Sequence, residues 1–498
     1  MLHIPILRHG KPYESVEKIE IVHHATGEPV AAVSQANSGL ITRDIARMDP
    51  RALERLTIAE LMAVSRKAAG LFLSAELPLG DARQTFDDYI RQLSATTGMP
   101  QALCRANAQK IHRVMDDIQT VIAGLTRGFD LTIIDRGYGD DDGRMLSWSR
   151  QARVFGAVLP SNSPGVHSLW IPAIVLKTPI ALKPGREEPW SPWRIIQAYM
   201  AAGAPGEAFG FYPTDHGGAA ALLRAVDRSM LFGDASTTRP WQGDARVQLH
   251  GPGYSKIVFG DDAAAHWERH LDLMVTSISA NGGRSCINAS GIWTPRHGRE
   301  IAEALGVRLA KVRAFAADHP EASLAAFANP KVAEMISGTI DAGLREDGAE
   351  DTTMRIRGSP RLERQGRVAY LLPTIVRIDS KELGRRSAGH PPAEPGAEGA
   401  ARMAEPMHPL ANREFLFPFA SVVECPTKGM AEAIGPSLIV TAITGDRAFI
   451  AELMGSGNVD RLNIGPVPTV RLSWDQPHEG NLFEHLYRQR ALQIEPAA

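Results

Sequence analysis

The segment Ala280-Asn-Gly-Gly-Arg-Ser-Cys-Ile-Asn-Ala289 sets a cysteine after a flexible glycine turn and before residues able to start a helix. A helix N-terminus and the nearby Arg284 would draw the Cys286 thiol toward thiolate, the form that attacks a carbonyl carbon to give a covalent adduct. The other cysteines, Cys104 and Cys425, lie far from it and from each other. With no Cys-x-x-Cys pair, neither a zinc site nor a disulfide framework is signalled, and no metal is expected. Most isolated cysteines are small buried hydrophobes, and glycine turns also serve ordinary packing. On its own residues the segment fits both a nucleophile and a packing turn.

Gly283-Arg-Ser-Cys286 resembles the nucleophile segment of the aldehyde dehydrogenase superfamily, and other segments follow in that family's order along nearly the whole chain. Val158-Leu-Pro-Ser-Asn162-Ser-Pro is similar to a strand-end turn whose Asn donates to the developing oxyanion, which implies that Asn162 shares this task with the Cys286 backbone N–H. Read without the resemblance, Asn162 is plain turn chemistry. Ala181-Leu-Lys183-Pro184 resembles the strand-end lysine that holds the adenosine ribose of the cofactor. Many NAD-using relatives carry a Glu three positions later; Arg186 stands there instead, a cation able to pair with a 2′-phosphate, which favours NADP over NAD. Glu187 and Glu188 could reach the same place after a small backbone shift. Phe232-Gly233-Asp-Ala-Ser236 resembles the turn that opens a nucleotide-facing helix, with N–H groups for the pyrophosphate. Arg413-Glu414-Phe-Leu-Phe-Pro418-Phe resembles the segment whose carboxylate, here Glu414, holds the nicotinamide ribose; a salt-bridged surface Glu is the plain alternative.

The sequence departs from the family at Gln248-Leu-His250-Gly-Pro-Gly253. Hydrolytic members place here a glutamate that activates water, and this chain has no carboxylate at that position. An acyl-cysteine would then wait for a better nucleophile such as the thiol of coenzyme A, as in acylating aldehyde dehydrogenases and acyl-CoA reductases, which the Gly251-Pro-Gly253 wording also resembles. The expected substrate is a small-molecule aldehyde or acyl-CoA. His250 is either a substitute base or a hydrogen-bonded turn residue. Two other readings stay open: an ordinary aldehyde dehydrogenase that makes a carboxylic acid, and a non-catalytic scaffold that keeps the fold.

The elements that must position these residues read as α/β. Thr57-Ile-Ala-Glu60 is a capping box before a helix, and Ile111, Val114, Met115, Ile118, Val121, Ile122 and Leu125 give one apolar face to a helix over 106–125. From Leu131–Ile134 onward, short β-branched runs alternate with helices, among them Val154–Leu159, Ile180–Leu182, Met230–Phe232 and Ile257–Phe259, as βαβ units of a largely parallel sheet require. Further helices are expected from Ala264 to Ser277 and from Gly298 to His319. The resemblance implies an aldehyde dehydrogenase-like fold: a modified Rossmann cofactor domain over 1–254 with an oligomerisation hairpin around 130–152, an α/β catalytic domain over 255–460, and a C-terminal return segment and oligomerisation tail over 461–498. In that tail Leu482, Phe483, Leu486 and Tyr487 make a helical apolar stripe that fits docking on the same chain or on a partner subunit. The active site is expected in the cleft between the large domains, and the assembly is expected to be a homodimer or homotetramer. Residues 381–409, rich in Pro, Gly, Ala and Glu, are expected to be a surface loop. Apolar residues at 44% suit a chain with a buried core, and a formal charge of −2 gives no field for nucleic acid or an anionic membrane. The opening residues lack a signal peptide's long apolar core, and no stretch is apolar enough to span a bilayer, so a cytoplasmic enzyme without membrane insertion is expected.

Overall fold

Thr57 opens the helix Ile58–Ser74 with a complete capping box: its hydroxyl accepts the Glu60 N–H at 3.2 Å and the Glu60 carboxylate accepts the Thr57 N–H at 2.7 Å. The apolar face read over 106–125 is buried, but two helices share it, Gln101–Asp116 and Ile118–Thr126, because Asp117 leaves helical geometry (φ −94, ψ 32). Residues 131–134, expected as a strand, are instead part of the short helix Thr132–Arg136. Asp130 accepts the Thr132 N–H and hydroxyl at its start, and Gly137 closes it in the left-handed region; these end signals outweigh the β-branched run. The helix expected over 264–277 is broken by a 3₁₀ turn, Trp267–His270, before Leu271–Ser279, and the helix from Gly298 stops at Leu309.

The computed structural model describes residues 1–379 and 408–495, so all but the last two positions of the 381–409 loop lie outside the described residues. The chain forms two units: Met1–Gly251 together with the segment from Ser473, and Pro252–Leu472. Residues 461–472 therefore belong with the second unit. Among the described residues, no helix is long and apolar enough to cross a membrane.

Each unit is built on a seven-stranded sheet, counted over the described residues. In the first, the strands are β1 (Ile6–Arg8), β2 (Lys11–Tyr13), β3 (Phe155–Val158), β4 (Ile180–Lys183), β5 (Phe209–Phe211), β6 (Arg228–Phe232) and β7 (Val247–His250). Their order is β7-β6-β3-β4-β5-β1-β2, with the five strands β7 to β5 parallel. The chain steps outward from β3 to β5, then returns to lay β6 on the other side of β3. The order thus reverses between β3 and β6, and in such sheets ligands bind outside the carboxyl ends of the strands at this reversal. In the second unit, β8 (Lys256–Phe259), β9 (Gly291–Thr294), β10 (Ala349–Asp351), β11 (Thr374–Ile378), β12 (Phe419–Glu424), β13 (Ser437–Ile443) and β14 (Val459–Ile464) take the order β10-β11-β12-β9-β8-β13-β14. β10 is antiparallel to β11, and the other pairings are parallel.

The apolar stripe at the chain's end docks on its own chain. Leu482, Phe483, Leu486 and Tyr487 are buried in the core of the first unit, Phe483 lies against Phe129 and Trp148, and the Tyr487 hydroxyl donates to the Leu176 carbonyl at 3.0 Å. Tyr487–Gln489 then pairs with Arg144–Arg150 of the hairpin expected around 130–152. The segment read in sequence as an oligomerisation tail thus completes a hydrophobic core.

Candidate active site

In the first unit, the candidate residues gather at the carboxyl ends of parallel strands. Val158 and Lys183 stand opposite each other at the ends of β3 and β4, and Phe232 and His250 at the ends of β6 and β7. Asn162 is half-buried in the bend after β3, and Gly233 directly follows β6. Asn162, Gly233 and Ser236 therefore flank the reversal between β3 and β6.

The turn after β4 is pressed onto the Asn162 loop. A Cβ on Gly185 would come within 2.6 Å of the Pro160 carbonyl oxygen, and the Ser161 hydroxyl accepts the Glu187 N–H at 3.2 Å. Burial pushes the Lys183 ammonium below its usual range, and the charges of Glu187 and Asp215 oppose that shift. Arg186 points to solvent. Glu188 cannot reach a ribose: it is fully buried, with its carboxylate 2.8 Å from His167 Nε2 and accepting the Ser191 N–H at 2.8 Å.

Gly233 and Ser236 depart from expectation. The helix they open is one turn long, Ala235–Thr238, and Asp234 caps it. Its carboxylate accepts the Thr237 N–H at 2.9 Å and the Ser236 hydroxyl at 2.7 Å, and these bonds hold its pKa below the usual carboxylate range. An anionic cap already occupies the N–H groups that a pyrophosphate would use.

His250 is 4% exposed and stacks on Phe232, with ring centroids 4.4 Å apart. Its Nδ1 is hydrogen-bonded to the carboxylate of Glu479, whose backbone carbonyl accepts a bond from the Gln248 side chain. Burial pushes the pKa of Glu479 up, but the charge of His250, its hydrogen bond and His478 together bring it below the usual carboxylate range. Sequence reasoning missed Glu479, which lies 229 positions from its partner in a loop with no motif of its own.

In the second unit, Cys286 lies in a turn and not ahead of a helix, so the helix N-terminus expected to draw out its thiol proton is not formed there. The reason is Asn288. Its side chain accepts the Ser285 N–H at 2.9 Å and donates to the carbonyls of Ser277 and Ala280 at 3.0 and 2.9 Å, folding the chain back into β9. Asn281, Gly282 and Gly283 all take positive φ, which makes the bend that glycine favours. Arg284 lies over the Phe327 ring at 5.7 Å. Ser255 donates to the Cys286 carbonyl at 2.8 Å, and a Cβ on Gly253 would run into that same carbonyl. Glu414 accepts the Tyr254 N–H at 2.7 Å. Of the three thiols, Cys286 alone is partly exposed; Cys104 is fully buried, and burial pushes Cys425 up to about 11.

A profile described as the aldehyde dehydrogenase family matches residues 12–382, well over half of the chain. The chain belongs to the aldehyde dehydrogenase family. Solved structures share its fold. The aldehyde dehydrogenase KauB from Pseudomonas aeruginosa matches with a TM-score of 0.75 at 16% identity, over 99% of this chain and 96% of that one. An aldehyde dehydrogenase from Bacillus cereus, solved as its NAD+ complex, gives 0.73 at 15% identity over 99% and 97%. One from Brucella melitensis biovar abortus 2308 gives 0.72 at 15% identity over 98% and 96%. As an aldehyde dehydrogenase the protein is an oxidoreductase that uses NAD(P). In the first unit of this aldehyde dehydrogenase, Lys183 is a strand-end cation just before a turn at Gly185 that has no room for a side chain.

Proposed function

We propose that this aldehyde dehydrogenase works through a covalent adduct on Cys286 and passes the acyl group to coenzyme A, or in reverse reduces an acyl-CoA to the aldehyde. The observation that carries this reading is β7 itself, Val247-Gln248-Leu249-His250, which offers no carboxylate to activate water. A free thiol, with a pKa of about 8.5, is far easier to deprotonate than water. Cys286 attacks the carbonyl carbon, and its own N–H and the Asn162 side chain are the proposed donors to the oxyanion. Bound NAD(P)+ supplies the hydride acceptor. Glu414, held by the Tyr254 N–H, is proposed to orient the nicotinamide ribose.

For the adenosine ribose the surroundings of Lys183 favour NAD, not the NADP that Arg186 suggests. Glu187 and Asp215 set negative charge beside the lysine, where ribose hydroxyls would be accepted and a 2′-phosphate repelled, while Arg186 points to solvent. A second reading, with water as acyl acceptor, is supported by the carboxylate-backed imidazole of His250. The deciding assay follows nicotinamide absorbance while the purified protein turns over a panel of aldehydes with NAD+ or NADP+, with and without coenzyme A. Sustained reduction only with coenzyme A, and faster with NAD+, is expected. Sustained turnover without coenzyme A would establish water as the acceptor.

A further inference from the structure

We propose that the buried His167–Glu188 pair is the positioning device behind the choice of cofactor: it holds the turn after β4 in the orientation that puts Glu187, and not Arg186, beside Lys183. Three charged residues follow one another in this turn and face three ways. Arg186 is exposed, Glu187 is half-buried with its charge acting on Lys183, and Glu188 is fully buried. Which of the first two stands beside the lysine sets the sign of the charge that meets the adenosine ribose.

Glu187 is held through its backbone: its N–H donates to the Ser161 hydroxyl at 3.2 Å, and its carbonyl accepts the Thr96 hydroxyl at 2.6 Å. Every residue of the turn carries a carbonyl, and all but proline an N–H, so these bonds alone do not single out Glu187. The pair behind it does. Nε2 of His167 lies 2.8 Å from one Glu188 oxygen. The other oxygen accepts the Ser191 N–H at 2.8 Å, in the first turn of the helix Trp190–Ala202, whose N-cap, Pro189, has no side-chain acceptor of its own. The indole N–H of Trp170 can only donate, and it reaches His167 Nδ1 at 3.0 Å, so the ring proton sits on Nε2 and is directed at Glu188. Glu188 thus fills a socket with a donor on each side, which a carboxylate suits and a guanidinium does not. The His167 side is anchored separately. Its 3₁₀ helix, Pro164–Leu169, is tied to the helix Gln101–Asp116 by the Gly165 N–H, which donates to Asn107 Oδ1 at 3.1 Å.

This role rests on the reading of Glu187 as the charge that favours NAD over NADP. The test measures dissociation constants for NAD+ and NADP+ by isothermal titration calorimetry, and the urea midpoint, on the full chain. The proteins are wild type, Glu187→Gln, Glu188→Gln, both together, and the apolar replacement His167→Leu/Glu188→Met. One amide oxygen cannot serve both donors, so Glu188→Gln leaves the socket to the neighbouring Glu187, and filling it would bring Arg186 toward Lys183. The preference for NAD+ over NADP+ should narrow by about tenfold or more in Glu188→Gln. The NAD+ concentration that half-saturates the NADH burst on rapid mixing with aldehyde should rise with it. Adding Glu188→Gln to Glu187→Gln should narrow the preference no further, because the pair acts through Glu187. The apolar replacement should keep a wild-type urea midpoint, as exchange of a buried charged pair for apolar groups of similar volume often does, and still show the narrowed preference. An unchanged preference in Glu188→Gln and in the apolar replacement would overturn the proposal. So would an equal loss of affinity for both cofactors, the mark of a merely structural role. A wild type that binds both cofactors equally, or a Glu187→Gln that keeps the wild-type preference, would instead sink the reading of Glu187, and this role with it.

Discussion

Lys256 begins β8, directly after the serine that holds the Cys286 carbonyl, and is 1% exposed. Its ammonium donates to the Tyr254 carbonyl at 2.7 Å and to the Ser437 hydroxyl at 3.0 Å, yet burial lowers its pKa to about 7 against a weaker upward pull from Glu414. A pKa depressed in the folded state means that the unfolded chain binds more protons between about pH 7 and the ordinary lysine range, so stability rises with pH across that window. Below pH 7 both states are protonated and the full cost of burying the charge is present. The unfolding free energy of the second unit, and with it the urea midpoint, should therefore climb from pH 7 to pH 9, the free energy by up to about 1.4 kcal/mol per pH unit, and Lys256→Met should flatten that slope. A wild-type midpoint level over this range would refute the assignment. The placement of single residues was legible where type and local spacing carry it: Cys286 is the partly exposed thiol, and Lys183 does end a strand. It was illegible where a distant partner decides. Glu188 reads as a free carboxylate until His167 is found against it, and nothing near residue 479 names His250.

Loops at the strand ends, more than the strands, set the geometry of both candidate clusters. Alternating apolar runs and turn residues disclosed β3, β4, β6 and β8 because burial on both faces of a parallel sheet demands them. The turn around Cys286 was misread, because a glycine bend before polar residues suits a helix start equally well, and only the three hydrogen bonds of Asn288 decide against it. Close backbone approach is likewise invisible in a one-letter string. Gly253 lies against the Cys286 carbonyl, so Gly253→Ala must displace one loop or the other. The fold should survive, since the contact lies outside the sheets. The NADH burst should slow by more than about tenfold, as a nucleophile misplaced by an ångström loses about two orders of magnitude, and stopped-flow absorbance would measure it. A burst as fast as wild type would show that the Cys286 backbone does not need this approach.

At the scale of the whole chain, the first unit is interrupted and then finished. Its core lacks Leu482, Phe483, Leu486 and Tyr487 until the chain has passed through all of the second unit. Phe483, 2% exposed among Phe129, Trp148 and Tyr487, should cost about 3 to 5 kcal/mol when cut to alanine. Hydrogen exchange should localise that loss to the first unit, and uniform loosening of both units would contradict it. Composition and periodicity announced an apolar stripe at 482–487 but not its destination, because a helical stripe fits any complementary surface. The late return also orders events on the ribosome. Residue 479 is made 229 positions after His250, about 10 to 50 seconds at ordinary elongation rates, and throughout that interval the nascent first unit lacks both the hydrogen-bond partner of His250 and the stripe that closes its core. A product cut short before Ser473 would thus leave the first unit's apolar core open to chaperones and proteases, so that the soundness of this unit is a readout of translational completion.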